Sequence, residues 1–357
     1  MYSLRQAGSN WFDALCSTLL NLDFCQSSHD PSLFISKDCL LLVYVNDCLI
    51  CGKSDIVVDP IVASLQKDFV LNSQGSVGAY LSIDIHHTSE GFLELVQPGL
   101  INKIITSCGL QDQSSEHNTP ATMILTADLT GPPREHSWNY RSIIGMLNHL
   151  ASSTCPDIAF AMYQCAHFTT APHHVHESAI QWFVRYLKGT SSCGYILWPS
   201  YLFNLDCFID ADLAGTWSSD TSEDPPSVKS QTGYVISFAS CPVLWCSKLQ
   251  TEIALGTTEA EYISLSQSAR DLIPMRGLLQ ELSAATKLIV GSTVAHSTIF
   301  EDNKGCIELV SAPCMRPRTL HIALKYHHFW SFVEAGHLRI QWIDNINQLA
   351  GIFTKPL

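Results

Sequence analysis

Three acidic residues occupy positions from which carboxylates can converge. Asp210 closes the run FNLDCFID, Asp302 closes STIFED, and Glu261 falls in the first turn of the helical segment TEAEYISLSQSARDLIPMRGLLQEL. Each alone reads as a turn or helix-capping acid. Together they suit two divalent cations about 3.5 to 4 Å apart, which need several carboxylates to hold them while water is activated and the leaving oxygen of a phosphodiester is stabilised. Asp212 follows Asp210 by two, so a regular strand gives both the same face, although a turn-forming acid is the bland reading. Other metal signals are weak. The CxxC pair Cys48 and Cys51 lies inside LLLVYVNDCLICG, where strand alternation sends the two thiols apart and argues against zinc. His173, His174 and His176, and the pair His327 and His328, lack cysteines or carboxylates at ligand spacing and read as solvated or core histidines.

The elements that must position the acids follow from periodicity. From about Asn204 the strands FNLDCFID, GYVISFAS and PVLWCSKLQ precede the long helix. The strand STIFED, the helix KGCIELV, a helix through HIALKYHHFWSFVEA, the strand LRIQWID and a last short helix follow. A meander followed by alternating helices and strands predicts a mixed α/β layer structure. Upstream, Trp11 to Leu22 reads as an amphipathic helix, with Leu33 to Ser36 and Leu40 to Ile50 as strands. Gly78 to His86 and Gly91 to Val96 read as two more strands, followed by the helix INKIITSCGL. Gln111 to Ser137 reads as a linker or extended loop, and Tyr140 to Leu187 as three helices broken at Pro156 and Pro172.

At 357 residues the chain predicts two or three domains with cores of their own. Apolar residues at 46% against 15% charged exclude wholesale disorder. The longest apolar stretch, Cys39 to Cys51, is interrupted by Asn46 and Asp47 and is too short for a bilayer, so no membrane partner is expected. The N-terminus lacks a basic and an apolar signal region, which predicts an intracellular protein, cytoplasmic or nuclear and not secreted. Fourteen cysteines scattered over the chain then read as free thiols. With 20 basic and 33 acidic residues the formal charge is -13, a field that opposes tight binding of polyanions.

The run Asp210-Ala211-Asp212-Leu213-Ala214-Gly215, then Lys229-Ser230-Gln231-Thr232-Gly233-Tyr234, Thr258-Glu259-Ala260-Glu261-Tyr262 and Asp302-Asn303, resembles the RNase H of copia-type retrotransposons in order and spacing. Arg318-Thr319-Leu320-His321-Ile322, Tyr326-His327 and Phe353-Thr354-Lys355-Pro356-Leu357 continue the likeness to the end of a copia-type Pol polyprotein. The N-terminal part resembles the reverse transcriptase of the same elements through Leu4-Arg5-Gln6-Ala7, Trp11, Asp30-Pro31-Ser32-Leu33-Phe34 and Tyr44-Val45-Asn46-Asp47. Tyr140-Arg141-Ser142, Pro156-Asp157-Ile158-Ala159 and Arg185-Tyr186-Leu187-Lys188-Gly189-Thr190 carry it through the connection. The resemblance implies an α/β chain: a partial α+β palm over 1–110, a linker and helical thumb or connection over 111–200, and an RNase H-like mixed-sheet domain over 201–357.

The resemblance also assigns roles. Asp210, Glu261 and Asp302 fall on the family's first three metal-binding acids, with Glu259 as the alternative to Glu261. Gly351 stands where the fourth acid belongs. Ala323 and Leu320 replace an acidic and a basic residue of the family pattern. In the polymerase turn Asn46 replaces the first Asp and only Asp47 remains, and the chain begins after the strand that carries the third acid. One carboxylate cannot hold two Mg2+ ions for phosphoryl transfer. The expectation is a degenerate fragment, polymerase-dead and catalytically inert. The alternative is a residual RNase H using Mg2+ or Mn2+ to cleave the RNA strand of an RNA-DNA hybrid, with weak nucleic-acid binding. Oligomeric state is not legible.

Overall fold

A computed structural model describes residues 7–45, 47–112, 115–128, 130–215, 217, 221, 225–286, 297–311 and 327–357. Asn46, Leu4 to Gln6, Arg318 to Ala323 and Tyr326, all named above, lie outside the described residues. The chain divides into two units, one of Met1–Tyr80 with Asp271–Ala295, the other of Leu81–Arg270 with His296–Leu357.

In the first unit, α1 (Ala7–Asn21) precedes a four-stranded sheet of β1 (Cys25–Gln26), β2 (Leu33–Ile35), β3 (Cys39–Tyr44) and β4 (Asp47–Gly52), in that order. Helix α2 (Asp55–Asp68) follows, and β5 (Ala79–Tyr80) ends the segment. Alternation sets the sheet's inner face: Cys39, Leu41 and Val43 are buried on β3 and pack with Leu15 and Leu19 of α1 and Leu65 of α2. The run expected as one strand, Leu40 to Ile50, is instead a hairpin, with Tyr44 paired to Asp47. The reversal comes at Val45, which holds φ +53°, a left-handed conformation costly for a β-branched residue.

The second unit opens with the ladder β6 (Ile83–His87), β7 (Leu93–Val96) and β8 (Tyr195–Leu197). Between β7 and β8 lie α3 (Pro98–Ser107), α4 (Tyr140–Ser153), α5 (Ala159–His167) and α6 (His174–Gly189). Their apolar stripes meet in one core, including Ile104, Ile143, Leu147, Leu150, Ile180 and Phe183. The segment expected as a loop holds no helix or multi-residue strand among its described residues, yet it is anchored. Glu177 of α6 accepts from the backbone of Glu135 at 2.8 Å and from Arg134 Nε at 3.0 Å. Burial pushes the Glu177 carboxyl up, but these bonds, those from His136 and the Arg134 charge outweigh it and hold it below its ordinary value. His176 is a core histidine whose Nδ1 accepts from the His173 backbone N–H.

The remaining strands, β9 (Leu205–Asp212), β10 (Gln231–Phe238), β11 (Cys241–Leu249), β12 (Ser297–Glu301) and β13 (Leu338–Trp342), form one sheet in the order β11-β10-β9-β12-β13. The first three are antiparallel. β12 runs parallel to both β9 and β13. Helix α7 (Thr257–Ala285) belongs to this unit as far as Arg270, and α8 (Lys304–Ser311) follows β12. No helix among the described residues is long and apolar enough to cross a membrane.

Candidate metal centre

Parallel pairing of β9 with β12 brings their C-terminal ends together, because Phe208 and Phe300 are register partners and the acids Asp210 and Asp302 each follow two residues later. Helix α7 contributes Glu261 from its first turns. One carboxylate oxygen from each of Asp210, Glu261 and Asp302 lies within 4.8 Å of the others. Asp210 and Glu261 are buried and Asp302 is half-buried. Glu259, the alternative, accepts from the Leu255 N–H at 2.9 Å and ties down the loop before the helix. Asp212 is the register partner of Gln231 and lies outside the converging set.

Small residues make this approach possible. Ser264, one turn after Glu261, donates to the Asp210 carbonyl at 3.1 Å and so fixes α7 against β9. Gly233 of β10 is the register partner of Asp210. A Cβ there would lie 2.7 Å from Phe353 Cβ and 2.8 Å from Thr354 Cγ2, so only glycine lets the 3-10 turn Leu349–Phe353 pack this closely. Thr354 then donates its hydroxyl to Asp210 Oδ2, and Lys355 Nζ stands 3.6 Å from the same oxygen. Asn303 caps α8 by accepting from the Cys306 N–H at 3.0 Å, which turns the chain directly after Asp302.

The sequence reading passed over Glu301. It is wholly buried, with Oε1 accepting from the Asn303 N–H at 2.8 Å. Its only sequence signal was alternation in STIFED, which places Ser297, Ile299 and Glu301 on one buried face. Burial first, then the neighbouring carboxylates, pushes the Glu261 and Glu301 carboxyls well above their ordinary values. Asp302 and Asp212 are raised for the same reasons, less the opposing charge of Lys355. Glu261 Oε2 and Glu301 Oε2 are buried without a hydrogen-bond partner among the described residues. Buried acids that repel one another and leave oxygens unsatisfied are costly unless a cation joins them, and an all-oxygen set suits Mg2+ or Mn2+ over zinc. The residues therefore fit such an ion.

Gly351 adds nothing to the set. Its Cβ direction is open, with no atom within 4 Å. In the first unit Asp47 is exposed and joins no cluster of metal-ligating side chains among the described residues.

A five-stranded mixed sheet with its first strand central, and acids at the adjoining ends of the first and fourth strands, defines an RNase H-like α/β protein. Residues 1–123 match the family model for reverse transcriptase (RNA-dependent DNA polymerase). The whole chain is 29% identical over 362 residues to the retrovirus-related Pol polyprotein from transposon RE2 of Arabidopsis thaliana, covering 24% of it. It is 27% identical, over 99% of its length, to the Pol polyprotein from transposon TNT 1-94 of Nicotiana tabacum, covering 26% of that protein. Thus the chain spans about a quarter of the length of these relatives. Among solved structures, LC11-RNase H1, isolated from compost, is 13% identical with a TM-score of 0.30, over 43% of this chain and 93% of that one. The same enzyme in complex with an RNA/DNA hybrid is 15% identical with a TM-score of 0.27, over 41% of this chain and 89% of that one. Over its whole length the chain is thus similar to copia-type retrotransposon Pol polyproteins, and over its first 123 residues to reverse transcriptase.

Proposed function

We propose that this chain is a polymerase-dead reverse transcriptase segment, over about 1–110 and 111–200, joined to an RNase H-type domain over 201–357. That domain retains a divalent-metal site for cutting the RNA strand of RNA-DNA hybrids. The observation that carries this reading is the 4.8 Å convergence of Asp210, Glu261 and Asp302. These three residues would hold Mg2+ or Mn2+, and the ion, when bound, supplies an activated water and stabilises the leaving oxygen. The protein's share is preorganisation. Ser264 and Gly233 fix Asp210 and the start of α7, and the Asn303 cap fixes Asp302, so the carboxylates need not reorganise as charge develops.

The formal charge of -13 makes the grip on nucleic acid weak and strongly salt-dependent. Gly351 favours the second reading, an inert fragment, since one carboxylate is missing from the family's set and one electrostatic participant is worth a factor of about 100 or more in rate. Incubating the full chain with an RNA-DNA hybrid in Mg2+ or Mn2+, beside an Asp210→Asn control, separates the two. Slow cleavage of the RNA strand by the parent alone is expected. Cleavage equal in parent and control, or absent from a folded parent, overturns the nuclease reading.

A further inference from the structure

The two oxygens of Asp210 have different surroundings. Oδ2 accepts the Thr354 hydroxyl and lies 3.6 Å from the Lys355 ammonium, whereas Oδ1 has no protein hydrogen bond among the described residues. A carboxylate shared by two cations turns an oxygen to each. Here one oxygen is already taken by a hydroxyl proton and a positive charge.

Lys355 rises from the turn that lacks an acid: its backbone N–H donates to the Gly351 carbonyl at 3.2 Å. A second cation on that side would find no carboxylate at Gly351 and would meet the ammonium at short range. The charges close without it. Three converging carboxylates carry three negative charges, and one dication plus one ammonium balance them. The buried Oε2 of Glu261 has no hydrogen-bond partner among the described residues, so the cluster still lacks a positive partner that Lys355 does not supply.

We propose that the acid cluster takes a single divalent cation, bound on the Oδ1 side of Asp210, with the Lys355 ammonium standing in for a second ion. This inference rests on the proposed metal site but not on catalysis.

The test counts ions in the full-length protein. Mn2+ is titrated by calorimetry, with free Mn2+ followed by electron paramagnetic resonance and folding checked by circular dichroism. The parent should bind one Mn2+, and the Gly351→Asp/Lys355→Met double variant should bind two. Lys355→Met alone should bind Mn2+ at least threefold more tightly, because a repelling charge is gone. A lysine that merely props Asp210 in place would give weaker binding instead. Two ions in the parent, one ion in a folded double variant, or weaker binding by Lys355→Met overturns the inference. No Mn2+ binding by the parent overturns it together with the metal site. One ion in the parent with no hybrid cleavage would end the nuclease reading and leave this one standing.

Discussion

The β3–β4 hairpin and the acid cluster of the five-stranded sheet both carry acids, and they hold them in opposite ways. At the hairpin a single acid, Asp47, faces solvent beside the exposed side chains of Tyr44 and Val45. At the cluster three acids converge from separate elements, and a fourth, Glu301, is buried alongside. The hairpin is regular in register, and Val45 carries a left-handed turn. Capacity for metal chemistry does not follow from a regular turn. It follows from how many charged groups the tertiary structure holds together against their mutual repulsion.

The largest effect is expected at Asp210, which converges with Glu261 and Asp302 and also meets Thr354 and Lys355. Asp210→Asn should lower hybrid cleavage at least about 100-fold and remove the rise in melting temperature on adding Mn2+, with the fold intact by circular dichroism. A variant that keeps both would place the chemistry elsewhere. Next is Gly351→Asp. The open space at this position accepts a side chain, and a new carboxylate should raise Mg2+-dependent cleavage about tenfold, only about 1.4 kcal/mol of barrier. Silence from a folded Gly351→Asp protein would bring the cluster down to the level of the hairpin.

A smaller effect concerns stability. The folded protein without metal holds a proton on Glu261 more tightly than the unfolded chain does, so this group stabilises the fold below the ordinary glutamate pKa of about 4.3 and loses that contribution as pH rises toward the raised value. In EDTA the parent should melt lower at pH 8 than at pH 5, by on the order of a few degrees. Glu261→Gln should flatten that dependence and melt higher than the parent at pH 8. A parent whose melting temperature is unchanged over this window would show the cluster to be less buried than described. The smallest effect is expected at the hairpin. Asn46→Asp supplies one carboxylate beside Asp47, which joins no cluster of metal-ligating side chains among the described residues, so primer extension on an RNA template should stay at the no-enzyme level. Any template-dependent extension would erase the contrast between the two regions.

Much of the site was legible because strand ends and first helical turns are where sequence can place a residue without knowing the fold. FNLDCFID and STIFED put Asp210 and Asp302 close to strand ends, although β9 runs on two residues to Asp212, and Glu261 sits one turn before Ser264, on the same helix face. The hairpin was not read from hydropathy, since Asn46 and Asp47 make only a short polar break in an apolar run, and the reversal shows in the φ of Val45. The histidines at 173, 174 and 176 read from the sequence as solvated or core residues, while their neighbour Glu177, which ties down the 111–137 segment, gave no signal.

What the sequence determined by itself is most of the order of elements and the acids near strand ends and in the first turns of a helix. Those are properties of local periodicity and of residue type. The tertiary structure decided which acids share space, that Glu301 joins them from the buried face of β12, and that Gly233 lets Thr354 and Lys355 reach Asp210. These facts depend on the parallel register of β9 with β12 and on the close packing of a turn more than a hundred residues from the strand it covers. Electrostatic energy depends on distance through space, and separation along the chain carries no record of it.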